Sequence, residues 1–314
     1  MPARPPAPAP APRPSAPVER DAAAEPLLTD LGRFLEGVRD QVNGTAPLPW
    51  RELGRLVTRV LDSLELSGEL VWLANRSALP TGVDYLAYHQ ACVAVMAVRV
   101  GLSVGLPRAQ LLELGMAGCL IDVGLWQLPP ALLQRLDALS DDEIDQYRAH
   151  PRLSAEAILR WSPPTATLAE MVMEHHEREQ GQGYPQGLSA EAIHPQAKIL
   201  GLVDTYTGLI VPPSQPLGLR PHEAIREIVR VKNESFPPAL IKALLNEVSV
   251  FPPGTLVRLN TGEMGLVTGV NRNHPLRPRI EVVDSRGQQV PSPKVIDLAE
   301  APFLYITGPV EPGR

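Results

Sequence analysis

Apolar residues recur every three or four positions along LLTDLGRFLEGVRDQV and again along WRELGRLVTRVLDSLELSGELVWLA, which predicts two or three helices over residues 25–75. A longer helical block comes next in DYLAYHQACVAVMAVRVGLSVG and RAQLLELGMAGCLIDVG, the second ending at Gly124 as a helix stop. Ser140 and Glu143 stand at capping-box spacing and start a helix carrying His150 near its end, before Pro151. Thr167 and Glu170 repeat the device ahead of MVMEHHE, placing His175 and His176 at a helix C-terminus. Pro195 and Pro221 sit where a first helical residue is favoured, so Asp204 projects from the middle of the helix PQAKILGLVDTYTGLI. Beyond Phe251 the period changes. GTLVRLNTGEMGLVTGVN and RPRIEVVDSRGQQV alternate β-branched with polar residues around turn-forming clusters, which predicts a small antiparallel sheet.

The expected fold is therefore mainly α, with an N-terminal helical lead-in and a small C-terminal antiparallel β appendage. The expected divisions are a disordered Pro/Ala-rich tail (1–23), the lead-in (24–80), a helical domain (81–250) and the appendage (251–314). Proline interrupts every stretch of MPARPPAPAPAPRPSAP where a signal peptide needs an apolar run. The most apolar later stretch, residues 91–106, contains Arg99 and is short for a bilayer, so no membrane insertion is expected. A net charge of −6, without any dense lysine or arginine block, argues against a nucleic acid polymer as partner. Only a local positive pocket could hold phosphate. The two cysteines, Cys92 and Cys119, lie in apolar helical runs without metal or disulfide spacing and suit a reducing cytoplasm.

The residues with chemistry to offer are His89, Asp122, His150, His175, His176 and Asp204, all read as helical. Imidazole and carboxylate together suit iron, manganese or zinc, and carboxylates can bridge two ions. Read alone, His89 or His150 is more often a hydrogen-bonded helix histidine than a ligand. Neighbours on a helix point about 100° apart, so His175 and His176 share a centre only if the helix end is shaped for it. Asp204 in an apolar helix is a stronger hint, because a buried carboxylate needs a partner.

The residues after the paired histidines carry a more specific signal. HHEREQGQGYPQGL resembles the signature of the HD-GYP family, in which two histidines and a glutamate lead through a glycine turn to Gly-Tyr-Pro and Gly-Leu. DYLAYHQACVAVMA, GCLIDVGLWQLPPALL, LSDDEIDQYRAHPRLSAEAIL and KILGLVDTYTGL resemble further family segments, covering about residues 84–243. The resemblance implies an HD-type helical bundle with one or two divalent metal ions, iron or manganese before zinc, that hydrolyses cyclic di-GMP. It implies that Asp122 bridges His89 and Asp204 on one side and His150, His175 and His176 on the other. Arg178 would meet phosphate beside the reacting centre, Gly181 and Gly183 would let the backbone approach the ligand, and Tyr184 with Pro185 would stack on guanine or form a rigid turn.

Four positions depart from the family pattern: Ile121 for the histidine of the His-Asp pair, Leu125 for a lysine, Gln180 for an aspartate and Thr207 for a second acid. Isoleucine has no lone pair for a metal, and leucine has no charge for phosphate. Three readings are open: a phosphodiesterase with impaired activity, a catalytically silent module that binds a cyclic dinucleotide or a signalling-protein partner, and an HD hydrolase for another nucleotide, against which the Gly-Tyr-Pro turn argues.

Overall fold

The computed structural model describes residues 23–310 apart from 78, 137, 214–217, 232–233, 249–250, 252–254, 270, 272–273, 275, 285–286 and 289–293. The Pro/Ala-rich tail thus lies, but for Ala23, outside the described residues. Three helices open the chain: α1 (Ala24–Gln41), α2 (Trp50–Leu66) and α3 (Glu69–Ala74). In α1 the buried residues Leu27, Leu31, Leu35 and Val38 are spaced by four, four and three, so a single stripe faces inward. Each such leucine contributes about 2 kcal/mol by leaving water.

The helix that stripe meets is α4 (Tyr85–Ser103), started by the Asp84 carboxylate, which accepts from the Ala87 N–H at 2.9 Å. Unlike α1, α4 is buried on nearly every side, from Leu86 through Gly101. It is long and apolar enough to cross a bilayer, but 83% of its apolar window is packed inside the fold. Around it stand α1, α2, α3, α5 (Arg108–Cys119), α10 (Pro195–Ile210) and α12 (Pro238–Glu247). Arg99 of α4 reaches Glu247 of α12 at 2.5 Å, a pair largely removed from water.

Between α5 and α10 run α6 (Pro130–Leu133), α7 (Asp141–Arg148), α8 (His150–Arg160) and α9 (Thr167–Met173); α11 (Pro221–Val231) comes after α10. The Ser140–Glu143 capping box starts α7, and Pro195 and Pro221 open their helices as the pattern predicts. Three local expectations need correction. α5 ends at Cys119 rather than Gly124, and a 3-10 turn occupies Val123–Gln127. His150 is the first residue of α8 rather than near the end of α7, because Pro151 cannot donate within a continuing helix but fits a first turn. Thr167 lies inside α9 and caps nothing; the N-cap is Ala166.

Gly124 has a different task from stopping a helix. Its N–H donates to Ser154 Oγ at 2.8 Å, and a Cβ there would stand 2.4 Å from the His150 carbonyl oxygen. Only glycine lets the 3-10 turn lie this close to α8. The C-terminal region is a five-stranded antiparallel sheet in the order β4-β3-β2-β1-β5, formed by Leu256–Leu259, Met264–Gly269, Arg279–Val283, Val295–Asp297 and Ile306–Pro309 as β1 to β5. Along β1, Val257 and Leu259 are buried while Arg258 is exposed, the two-residue period read from the sequence.

The Gly124→Ala variant should lose about 1–3 kcal/mol through overpacking, read as a lower urea midpoint at unchanged slope. Parent-like stability would contradict the close approach of the turn to α8.

Candidate metal centre

Five separate segments deliver six donors to one buried place. Asp122 lies in the non-helical turn after α5, with φ −116° and ψ 18°. Its N–H donates to Gln90 Oε1 at 3.2 Å, and Gln90 in turn donates from Nε2 to the Leu86 carbonyl. Gln90 is wholly buried next to His89 on α4, so it ties the Asp122 turn to that helix. His150 begins α8 and Asp204 lies within α10. α9 ends at Met173, so His175 and His176 fall in the turn beyond it rather than in its last turn. That break permits what a helix would forbid: the two adjacent rings turn to the same side, with centroids 4.0 Å apart.

The Asp122 carboxylate faces two ways. Oδ1 lies 3.3 Å from His150 Nε2 and 3.7 Å from His175 Nε2, while Oδ2 lies 3.6 Å from His89 Nε2. Two donor groups result, His150 with His175 and His176, and His89 with Asp122 and Asp204, each with its ligand atoms within 4.8 Å of one another. Donors held at about 2.1 Å by one ion stand roughly 3–4 Å apart, so small side-chain rotations suffice in either group. His150, His175, His89 and Asp122 are buried, whereas His176 and Asp204 are each 13% exposed in their side chains and mark the open side.

The groups differ in readiness. His150 Nδ1 bonds to the Tyr147 carbonyl at 2.7 Å and His175 Nδ1 to the Val172 carbonyl at 2.6 Å. Those contacts place the proton on Nδ1 and leave the Nε2 lone pair for a metal. His175 Nε2 is buried with no hydrogen-bond partner among the described residues, and His150 and His176 turn their Nε2 atoms towards each other at 3.1 Å, where at most one proton fits. Lone pairs aimed at a common point without donors to satisfy them fit a cation. Burial, reinforced by neighbouring imidazole charge, lowers the His175 pKa to about 4 and pushes His176 well down. Burial opposes ionisation of Asp122, but His150, when protonated and hydrogen-bonded to it, and the charges that His150, His175 and His89 carry when protonated hold its pKa down to about 2. In the other group His89 Nε2 donates to Asp204 Oδ1 at 2.9 Å. Burial works against charge there too, yet the Asp204 hydrogen bond and the Asp204 and Asp122 charges leave the His89 pKa raised. This pair already satisfies itself, and its Nε2 must give up a proton before it can bind a metal. Ile121 is wholly buried in the apolar core and adds no donor.

The glycine loop is fastened to the histidine turn by Glu177, whose carboxylate accepts from the Gln186 N–H at 2.6 Å and the Leu188 N–H at 2.9 Å. A Cβ on Gly183 would stand 2.4 Å from Glu177 Cα, so Gly183 serves a close approach of chain to chain. Gly181 takes a left-handed φ of +77° and donates to the Arg178 carbonyl at 2.8 Å. Arg178 Nη1 donates to the His175 and Glu177 carbonyls at 2.9 and 2.8 Å, and its guanidinium lies over Phe236. In this structure it braces the turn. The Tyr184 ring lies 4.6 Å from the His176 ring, at the open side, and Pro185 comes next in a cis linkage at the exposed loop surface. Gln90 and Glu177 are not found as functional residues from sequence, because a buried amide and a loop-fastening carboxylate carry no spacing signature. Glu177 does stand within HHEREQGQGYPQGL, directly after the paired histidines.

Residues 65–240 match the HD domain family, and residues 256–313 match a family described as the KOW domain associated with HD domain. Cyclic di-GMP phosphodiesterase PA4108 of Pseudomonas aeruginosa is 32% identical over 224 residues, 71% of this chain and 54% of that protein. Cyclic di-GMP phosphodiesterase PdeB of Borreliella burgdorferi is 24% identical over 69% of this chain and 55% of its own length. The chain thus spans about half the length of these relatives. Bd1817, a HDG"Y"P protein from Bdellovibrio bacteriovorus, shares the fold with a TM-score of 0.59 at 17% identity, over 70% of each chain.

The metal-free protein should lose stability in mild acid. An unfolded histidine protonates near 6.5, whereas His175 stays neutral to about 4. Its contribution is therefore complete above 6.5 and declines as pH falls between the two values, since the unfolded chain binds the extra proton. His89, with a raised pKa, runs the other way, present below 6.5 and lost as pH rises through its folded value. Thermal unfolding of chelator-treated protein from pH 7 to pH 4 should show a falling midpoint that flattens in His175→Leu; equal slopes would contradict the neutral buried imidazole.

Proposed function

Because the chain belongs to the HD domain family, in its HD-GYP branch, we propose that it is a metal-dependent phosphohydrolase of cyclic di-GMP signalling with impaired turnover. The observation that carries the reading is the Asp122 carboxylate, with one oxygen turned to His150 and His175 and the other to His89. His150, His175, His176 and Asp122 Oδ1 would hold one divalent ion, iron or manganese by the mixture of imidazole and carboxylate, with zinc as the alternative. Such an ion supplies Lewis acidity, which acidifies water and neutralises charge gathering on phosphoryl oxygens.

The residues do the rest. The carbonyls of Tyr147 and Val172 fix two imidazoles in the ligating tautomer. Glu177 and Arg178 set the histidine turn against the glycine loop, and Asp204, between His89 and His176, can take a proton at Oδ1 or Oδ2. The group of His89, Asp122 and Asp204 lacks a fourth donor at Ile121, and we assign it the weaker metal affinity. A chain in which one ion is firmly held retains attraction for a phosphodiester but loses the paired clamp on attacking and leaving oxygens. The same two replacements, Ile121 and Leu125, favour a second reading, a module that binds the nucleotide, or a signalling protein, without cleaving it. Either role belongs in the cytoplasm, where the buried thiols Cys92 and Cys119 stay reduced.

Elemental analysis of the purified protein should find close to one ion per chain, lost in His175→Ala and kept in His89→Ala. Adding Ile121→His should raise the content towards two. With manganese supplied, the Ile121→His/Leu125→Lys double variant should hydrolyse cyclic di-GMP on the order of a hundredfold faster than the parent, with a smaller change in affinity. Rapid turnover by the parent would remove the claim of impairment. Absence of both metal and nucleotide binding in the parent would end the phosphohydrolase reading.

A further inference from the structure

A site for an anionic substrate on a chain of net charge −6 needs local positive charge, and the expected cations do not supply it. Leu125 is uncharged and buried. Arg178 spends Nη1 on two backbone carbonyls and rests on Phe236. One other cation stands at the open side. Arg148 is the last residue of α7, exposed, two residues before His150. Its guanidinium carbon lies 5.7 Å above the Tyr184 ring centroid, and that ring lies 4.6 Å from the His176 ring. These separations bound the guanidinium to within about 10 Å of a ligating imidazole. Among the described residues no carboxylate lies at ion-pair distance from Arg148.

We propose that Arg148 is a phosphate-binding residue of the metal centre, held at its mouth by the Tyr184 ring. The ring attracts and orients the guanidinium without neutralising it, and the exposed end of α7 leaves the side chain free to swing. A guanidinium can meet two phosphate oxygens at once through its planar fork, whereas Arg178 has already committed Nη1 to two backbone carbonyls and lies against Phe236. Tyr184 thereby acts as a support for the cation, and the substrate phosphate is gripped between Arg148 outside and the imidazole-held ion inside. This inference rests on the cyclic di-GMP reading and adds to it the residue that replaces the missing lysine.

The test is calorimetric titration of cyclic di-GMP into the manganese-loaded full chain, comparing the parent with Arg148→Ala and Arg148→Lys, with metal content measured on each. Loss of a charge-assisted hydrogen bond should weaken binding by about tenfold to a hundredfold in Arg148→Ala. Arg148→Lys should recover part of that loss, metal content should stay unchanged, and the parent's affinity should fall more steeply with added salt than that of Arg148→Ala. A merely structural role would move neither the lysine rescue nor the salt dependence. Parent-like binding by Arg148→Ala, or a lysine variant no better than alanine, would overturn the assignment while leaving the phosphohydrolase reading intact. A parent that binds metal but no cyclic di-GMP would overturn the substrate reading and this inference with it.

Discussion

A carboxylate cannot remain ionised inside a protein without compensation, and the compensation of Asp122 gathers the middle of this fold. Three histidines from three segments stand around its two oxygens, and Gln90 holds its backbone. Each contact fixes an element. His89 and Gln90 bring the central helix, His150 the start of α8, and His175 the turn after α9. The apolar core provides most of the folding free energy, being non-directional and proportional to buried area. The polar cluster sets the register in which those elements meet, because a hydrogen-bonded donor tolerates far less displacement than a leucine does.

The same carboxylate explains why the two halves of the centre are unequal. On the His150 side, backbone carbonyls take up the Nδ1 protons, and the outward lone pairs remain in excess of available donors. On the His89 side an imidazole proton and the Asp204 carboxylate satisfy each other directly. Metal binding relieves an electrostatic conflict in the first half but has to break an existing pair in the second. With Ile121 adding no donor, nothing offsets that cost. The asymmetry thus arises from the proton inventory of the two groups.

Much of this is legible in the sequence, where the signal is local. The stripe of α1, the capping box of α7, the prolines opening α10 and α11 and the two-residue alternation of β1 each rest on interactions within a few residues. The ligand set is legible only through the motif that begins at the paired histidines, since no periodicity joins His89 to Asp204 across more than a hundred residues. The breaks are not legible. The ends of α5 and α9, and the start of a new helix at His150, are imposed by long-range contacts: Gly124 against α8, Gln90 on Asp122, Arg178 on the His175 carbonyl. Intrinsic propensity at Leu120 or Glu174 does not demand a stop, and tertiary packing overrides it.

These breaks are where chemistry is acquired. A continuous helix through Glu174 and His175 would point His175 and His176 about 100° apart, and one through Leu120 and Ile121 would carry Asp122 away from its Gln90 anchor. Ending α9 at Met173 turns both rings to one side; the carbonyls left by the lost helical turn accept from the Arg178 guanidinium at His175 and Glu177 and from the Tyr184 N–H at His176, and the Glu177 carboxylate fastens the glycine loop by accepting two of its N–H groups. The loop in turn brings Tyr184 beside His176. A single substitution could therefore empty a ligand position, as we propose for Ile121, without disturbing the turns that aim the others. Those turns are held by backbone carbonyls, a buried amide and a loop-fastening carboxylate, none of which depends on a metal. The scaffold of the centre is in this way independent of the ion it would hold, and its donors stay aimed at a common point without one.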